Sequence, residues 1–256
     1  MFKPTTLMRY FPGIAVLRCA LAVALTGIST NTMAGKPENI TGAEMALIPA
    51  YCPYTQSFSE SRGSPESKRW ESVMGKDFWA MHHYCWAQIN QLRAMRSGIT
   101  ESARKSLLAV ARDDYRYAAN NTARNFILLP EIYTRIGETE LRLSRNNDAS
   151  RSFAKARSLK PDYWPAYSHW AEFLMYSGKK AEAKQLVKAG LEYSPNSRVL
   201  REQYRLLGGN PSDIVPKARE QAPDDNSGES ESPPTEGQVT PEPEANKASP
   251  VGRPDR

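Results

Sequence analysis

"WPAYSHWAEFLMYSGKKAEAKQLVKAGLEYSP", residues 164–195, decides the fold. Tyr167, Trp170, Ala171 and Leu174 fall on one stripe at helical spacing. Gly178 stops that helix and Lys179 and Lys180 occupy the turn. Ala183, Leu186, Val187 and Gly190 then make a second helical stripe, which Pro195 closes. The stretch before it, "PEIYTRIGETELRLSRNNDASRSFAKARSLKP" (residues 130–161), repeats the pattern. Tyr133, Ile136 and Gly137 stand 34 residues before Tyr167, Trp170 and Ala171, and Ala149, Phe153 and Ala156 stand 34 before Ala183, Val187 and Gly190. Small residues at such positions let helices approach closely, and large ones fill the gaps between them.

A helix-turn-helix unit with a 34-residue period resembles the tetratricopeptide repeat (TPR) family. The resemblance covers about two units and implies a short right-handed all-α solenoid of antiparallel helix pairs. Two positions depart from the family pattern: Glu140 stands where an aromatic is usual, and Ser144 replaces the turn glycine. Two units are too few to stand alone, so capping elements are expected on both sides. On the C-terminal side, Ser197 is placed to cap a helix carrying Leu200, Tyr204 and Leu207, ended by Gly208 and Gly209. On the N-terminal side, residues 78–95 read as a helix with Met81, His82, Cys85, Ile89 and Leu92 on one stripe. Residues 101–120 read as its partner, out of register with the period. "HHYCW" (residues 82–86) with "LLPEI" (residues 128–132) also resembles a group of exported bacterial TPR proteins.

The two ends read differently from the middle. Lys3, Arg9 and Arg18, an 11-residue apolar run "CALAVALTGIS" and the small-residue site "TMA" match a secretory signal peptide over residues 1–34. The run is short of the roughly 20 residues of a membrane span, so no transmembrane anchor is expected after cleavage. Residues 209–256 hold 9 of the 19 prolines, ten acidic and five basic residues, and few large apolar ones. That composition predicts a disordered tail. Setting the +3 leader and the −5 tail aside from the net charge of +6 leaves +8 on residues 35–208.

Cleavage would leave two of the three cysteines, Cys52 and Cys85. In an exported chain an even pair reads most simply as a disulfide, worth roughly 3–4 kcal/mol for a loop of this length. It would tether residues 35–77, read as an irregular polar segment, to the helical pair at 78–127. The two repeat units and the capping helix follow at 128–208. The alternative is a metal or metal-delivery site made of Cys52, His82, His83 and Cys85, although no recognised ligand spacing is present.

Catalysis has little sequence support. No phosphate loop or nucleophile elbow is present, and Asp113 and Asp114 read as solvated charges on a helix. The expectation is a protein that is not an enzyme and needs no cofactor. The TPR resemblance instead implies a groove lined by the first helix of each repeat. Carried onto this sequence, the groove positions are Glu131, Thr134, Arg135, Glu138 and Arg142, then Pro165, Ser168, His169, Glu172 and Tyr176. The lysine and asparagine set with which chaperone-binding members clamp a C-terminal carboxylate is absent. Such a groove suits a peptide or protein segment of mixed polarity, so the expected role is a periplasmic or secreted scaffold for a cell-envelope assembly. The excess of scattered Arg and Lys adds acidic polysaccharide as an alternative partner; nucleic acid is not expected for an exported chain.

Overall fold

A computed structural model describes residues 35–58 and 63–217. The leader expected at 1–34 lies outside the described residues, as does the tail from residue 218 on. Among the described residues the chain is all-helical, without a strand, and its longer helices pack as sequence-adjacent pairs. No helix there is long and apolar enough to cross a membrane.

The repeated region forms four helices, α5 (Leu129–Arg142), α6 (Asn146–Leu159), α7 (Pro165–Tyr176) and α8 (Lys180–Tyr193). α6 and α8 begin and end 34 residues apart, and α5 and α7 end 34 apart. The small positions are where the sequence pattern requires them. A Cβ on Gly137 would meet the Phe153 ring at 2.9 Å, so a hydrogen there is what lets α5 close on α6. A Cβ on Gly190 would sit 2.8 Å from Tyr167 and 2.9 Å from Leu200, so this residue serves both α7 and α9 (Arg198–Leu206). Ile136, Ala149, Phe153, Ala156, Tyr167, Ala171, Ala183 and Val187 are buried, while Tyr133 and Trp170 pack against them half-buried.

The end of helix α5 shows how the chain accommodates Ser144, one of the two departures from the repeat pattern. Helix α5 ends in a Schellman cap: Arg145 N–H donates to the Glu140 carbonyl (2.8 Å) and Ser144 N–H to that of Leu141 (2.9 Å). The second unit makes the same pair with Lys179 on Leu174 (2.8 Å) and Gly178 on Met175 (3.1 Å). Both turn residues are left-handed, Gly178 at φ 76° and Ser144 at φ 60°. Ser144 therefore adopts, with a Cβ, a conformation that glycine takes without steric cost. Ser197 caps α9 as its sequence suggests, its Oγ accepting from Leu200 N–H.

The N-terminal pair is α3 (Met81–Ala94) and α4 (Glu101–Asn120). Helix α3 starts three residues later than the sequence suggests, because residues 75–80 form a 3-10 turn. Residues 35–77 also need correction, since they are not wholly irregular. They contain the short α1 (Gly42–Met45) and the three-turn α2 (Pro65–Met74). Ser64 caps α2, Pro65 sits in its first turn and Gly75, at φ 69°, ends it. Two anchors hold this segment on α3. The Cys52–Cys85 disulfide, with Cα atoms 5.7 Å apart, joins two fully buried residues. Buried Glu44 accepts from Arg93 Nε (2.7 Å) and Arg96 Nη2 (2.6 Å), and forms a capping box with Thr41.

At the other end the ordered chain runs past residue 209, where the tail was expected to begin. Ile214 packs against the α7–α9 core, and Lys217 N–H donates to the Glu192 carbonyl (2.8 Å). Lys217 Nζ also pairs with Glu192 (2.9 Å) and lies over the Tyr193 ring, so this stretch is held by an apolar contact and by polar ones.

Candidate functional site

Helices α3, α5 and α7 share a row of polar side chains. Gln88 Nε2 donates to Tyr84 Oη (2.8 Å), and Tyr84 Oη donates to Glu131 Oε1 (2.5 Å). Arg135 reaches Glu131 at 3.8 Å and Glu138 at 3.2 Å. Glu138 in turn pairs with His169 Nε2 at 3.1 Å. The row thus crosses from α3 over α5 to α7. On α5 it uses positions 131, 135 and 138, which fall on one side of a helix with 3.6 residues per turn.

Electrostatics act on Arg135 and on the tyrosines around it. Burial alone would lower the Arg135 pKa, but Glu138 first, then Tyr84, Tyr115 and Glu131, raise it above its ordinary value. Burial raises the phenols of Tyr51, Tyr84, Tyr115 and Tyr163, with Glu131 adding to the shift in each. These tyrosines are neutral donors around a permanent cation and its carboxylates. Tyr115 Oη donates to Gln91 Oε1 (2.9 Å), so the layer beneath the row is hydrogen-bonded as well.

Of the groove positions expected from sequence, Glu131, Arg135, Glu138 and His169 are brought together here. Arg142, Glu172 and Tyr176 lie exposed towards the ends of the same two helices, Tyr176 at 85%. Thr134 and Ser168 are corrections. They are equivalent residues 34 apart, and both are buried. Thr134 Oγ1 donates back to the Pro130 carbonyl (2.8 Å), a bond that a short hydroxyl makes to its own helix instead of facing a ligand. Pro165 is half-buried in the first turn of α7.

The segment "HHYCW" is core. With both sulfurs bonded to each other, the alternative metal set of Cys52, His82, His83 and Cys85 has no thiolate to offer. His82 Nδ1 donates to the Trp79 carbonyl (2.7 Å), and His83 Nδ1 donates to Asp114 Oδ1 (2.7 Å). The rings of His82, His83, Trp86 and Tyr117 pack together, His83 and Tyr117 at 3.8 Å between centroids. Asp114, expected as a solvated charge, is fully buried. Burial raises its pKa and the bond to His83 partly offsets that rise. Burial likewise pushes the His82 imidazole below its usual range.

Sequence reasoning missed the partners from outside the repeats, Tyr84, Gln88, Tyr115 and Tyr163. Tyr115 falls on the apolar stripe of its helix with Leu108, Ala111 and Ala118, but nothing in that spacing points to the row. Glu140 did carry a signal, as a carboxylate inside an otherwise apolar stripe, and it is fully buried. No family model matches the chain, and neither a characterised protein nor a solved structure matches it.

Proposed function

We propose that this chain is an exported interaction scaffold of TPR type, holding a peptide or protein segment of mixed polarity along the face shared by α5 and α7. The observation that carries the reading is the row Tyr84–Glu131–Arg135–Glu138–His169, in which Glu131, Arg135 and His169 are partly exposed yet held by neighbours on three helices. A row fixed in advance loses little side-chain freedom on binding and sets the register of a charged ligand. Exposed Arg142, Glu172 and Tyr176 extend it, and an exposed tyrosine is a common anchor in interfaces. The 34-residue recurrence of the helix ends supports a TPR-type array. The Cys52–Cys85 disulfide is compatible with the periplasm or the exterior, where a cell-envelope assembly would supply the partner. The role proposed is binding, with no catalytic step and no cofactor.

Photo-crosslinking in the native host tests this. A crosslinker at Arg142 or Tyr176 should trap one discrete partner, and the same group at exposed Lys188 on α8 should not. Equal trapping from all three positions, or none from the first two, would remove the groove from consideration.

A further inference from the structure

The opposite side of α5 holds a second polar cluster. Tyr133, Ile136 and Glu140 lie about half a turn away from Glu131, Arg135 and Glu138. Helices α4 and α6 both pack on α5, and between them a cleft opens above these three residues. Two adjoining hollows of about 230 and 260 Å³ share Arg116, Tyr133 and Ser152 as walls. One continues over Asp148, Arg151 and Lys155, and the other over Ala119, Asn120 and Ile136.

Behind two of the shared walls, Arg116 and Ser152, sits a buried carboxylate. Glu140 is fully buried, accepting from Arg116 Nη2 (2.7 Å) on one oxygen and from Ser152 Oγ (2.7 Å) on the other. Burying a charge is costly, and replacing such a pair by apolar groups is often stabilising. What the pair does achieve is to fix Arg116, itself 44% exposed, at the wall of the cleft. On the rim, Asp148 is engaged by Arg145 (2.6 Å) and by Arg151. Lys155 has no acidic partner among the described residues. Four cations, Arg116, Arg145, Arg151 and Lys155, thus face two carboxylates, Glu140 and Asp148, which leaves an excess of positive charge. Three of the four residues that supply it lie within residues 145–155, and Arg116 comes from another helix. The chain appears basic but scattered in sequence; the fold gathers it.

We propose that this cleft binds an anionic sugar residue, its carboxylate or phosphate held by Arg116, Arg151 and Lys155 and its neutral ring lying along Tyr133 towards Asn120. Beyond the shared Arg116, Tyr133 and Ser152 the two ends of the cleft are chemically unlike, with Asp148, Arg151 and Lys155 at one and the Asn120 amide with apolar Ala119 and Ile136 at the other. That division matches a ligand with one charged group on a compact polar body. Guanidinium groups bind planar or tetrahedral oxyanions through paired N–H donors. Each hollow is smaller than the 300 Å³ or more typical of a drug-sized site, which suits one ring and its substituent. The site is separate from the α5–α7 row, so the two readings stand or fall independently.

Calorimetric titration of the full chain at low salt, with glucuronate, glucose 6-phosphate, glucose and inorganic phosphate, tests the proposal. At least one of the two anionic sugars should bind, with glucose and inorganic phosphate at least about tenfold weaker. Arg151→Ala and Lys155→Ala, both at exposed positions, should each weaken binding about tenfold, the worth of one charge-assisted hydrogen bond. The double variant Arg116→Gln/Glu140→Gln keeps the net charge and should weaken binding as much, which separates the cleft from general attraction to a basic protein. Tyr176→Ala should change nothing. Failure of both sugars to saturate at millimolar concentration, or unaltered affinity in Lys155→Ala, overturns the site. Inorganic phosphate binding as tightly as glucose 6-phosphate overturns the assignment to a sugar.

Discussion

The α3–α4 pair and the α7–α8 pair solve the same packing problem by different chemistry. Between α3 and α4 an apolar core of Met81, Ile89, Ala111 and Ala118 also takes in large residues with polar tips, Tyr84, Tyr115, His83 and Asp114, each making a directed hydrogen bond, and Cys52–Cys85 staples α3 to the segment before it. Between α7 and α8 the buried residues are Ala171, Leu174, Ala183, Val187 and Leu191, with Gly190 admitting the ring of Tyr167. A hydrogen-bonded core demands specific partners held at hydrogen-bonding distance and angle. A small-into-large core needs no partner chemistry but demands spacing to a few tenths of an ångström. One region is held by identity and the other by distance, and each should fail in its own way.

The largest effect is expected from the staple. Cys52→Ala/Cys85→Ala should cost about 3–4 kcal/mol, read as a lower urea midpoint. Hydrogen exchange should rise in α3 and in the segment before it, while α8 keeps its protection. An equal rise in both regions would mean that the two cores unfold as one, and the contrast would not survive.

The converse change is at Gly190. Gly190→Val inserts atoms where even a Cβ meets Tyr167 and Leu200 within 3 Å, and overpacking of this kind costs about 1–3 kcal/mol. Exchange should rise across α7, α8 and α9 and leave the stapled region alone. A neutral outcome in thermal melting would show that the spacing in this core is looser than the geometry implies.

Acid should separate the regions more locally. The bond from Arg93 lowers the Glu44 pKa from 4.5 to about 2. A folded-state value below the unfolded one means that Glu44 stabilises fully above pH 4.5 and that this contribution is lost as pH falls towards 2. Amides around α1 should therefore open over that window while those of α8, whose carboxylates Glu182 and Glu192 pair at the surface rather than in the core, should not. Glu44→Gln should abolish the pH dependence of the opening; its persistence in that variant would move the cause elsewhere.

The same contrast governs what the sequence discloses. Spacing is a property of one segment, so α5 to α9 were legible from Tyr133, Gly137, Ala149, Ala183 and their equivalents, nearly to the residue. Partner identity joins distant segments. Asp114 lies 31 residues from His83, and Glu131 lies 47 from Tyr84. No periodicity connects them, so the buried Asp114 read as a surface charge, its partner His83 as a candidate metal ligand, and the tyrosines beside the α5–α7 row were not foreseen. Helix α2 was a different failure: its Ser64-Pro65 start and Gly75 stop were in plain view, but the polar composition of the stretch outweighed them. Thr134 and Ser168 were misplaced because transferring a groove by position ignores burial, and Thr134 satisfies its hydroxyl on its own helix.

The smallest effect sharpens the comparison inside the repeats themselves. The turns after α5 and α7 make the same two backbone hydrogen bonds, yet one turns on Ser144 and the other on Gly178, both left-handed. A side chain in that conformation costs about 1–2 kcal/mol, and glycine's greater freedom in the unfolded chain returns part of it. Ser144→Gly should therefore stabilise the protein by about 1 kcal/mol, visible as a raised melting temperature and slower exchange at the α5–α6 turn. Gly178→Ser should cost a similar amount at the α7–α8 turn, so the double variant should return close to the starting stability. If Ser144→Gly destabilises instead, the serine is held by something other than the helix cap, and the two turns are equivalent in backbone but not in role.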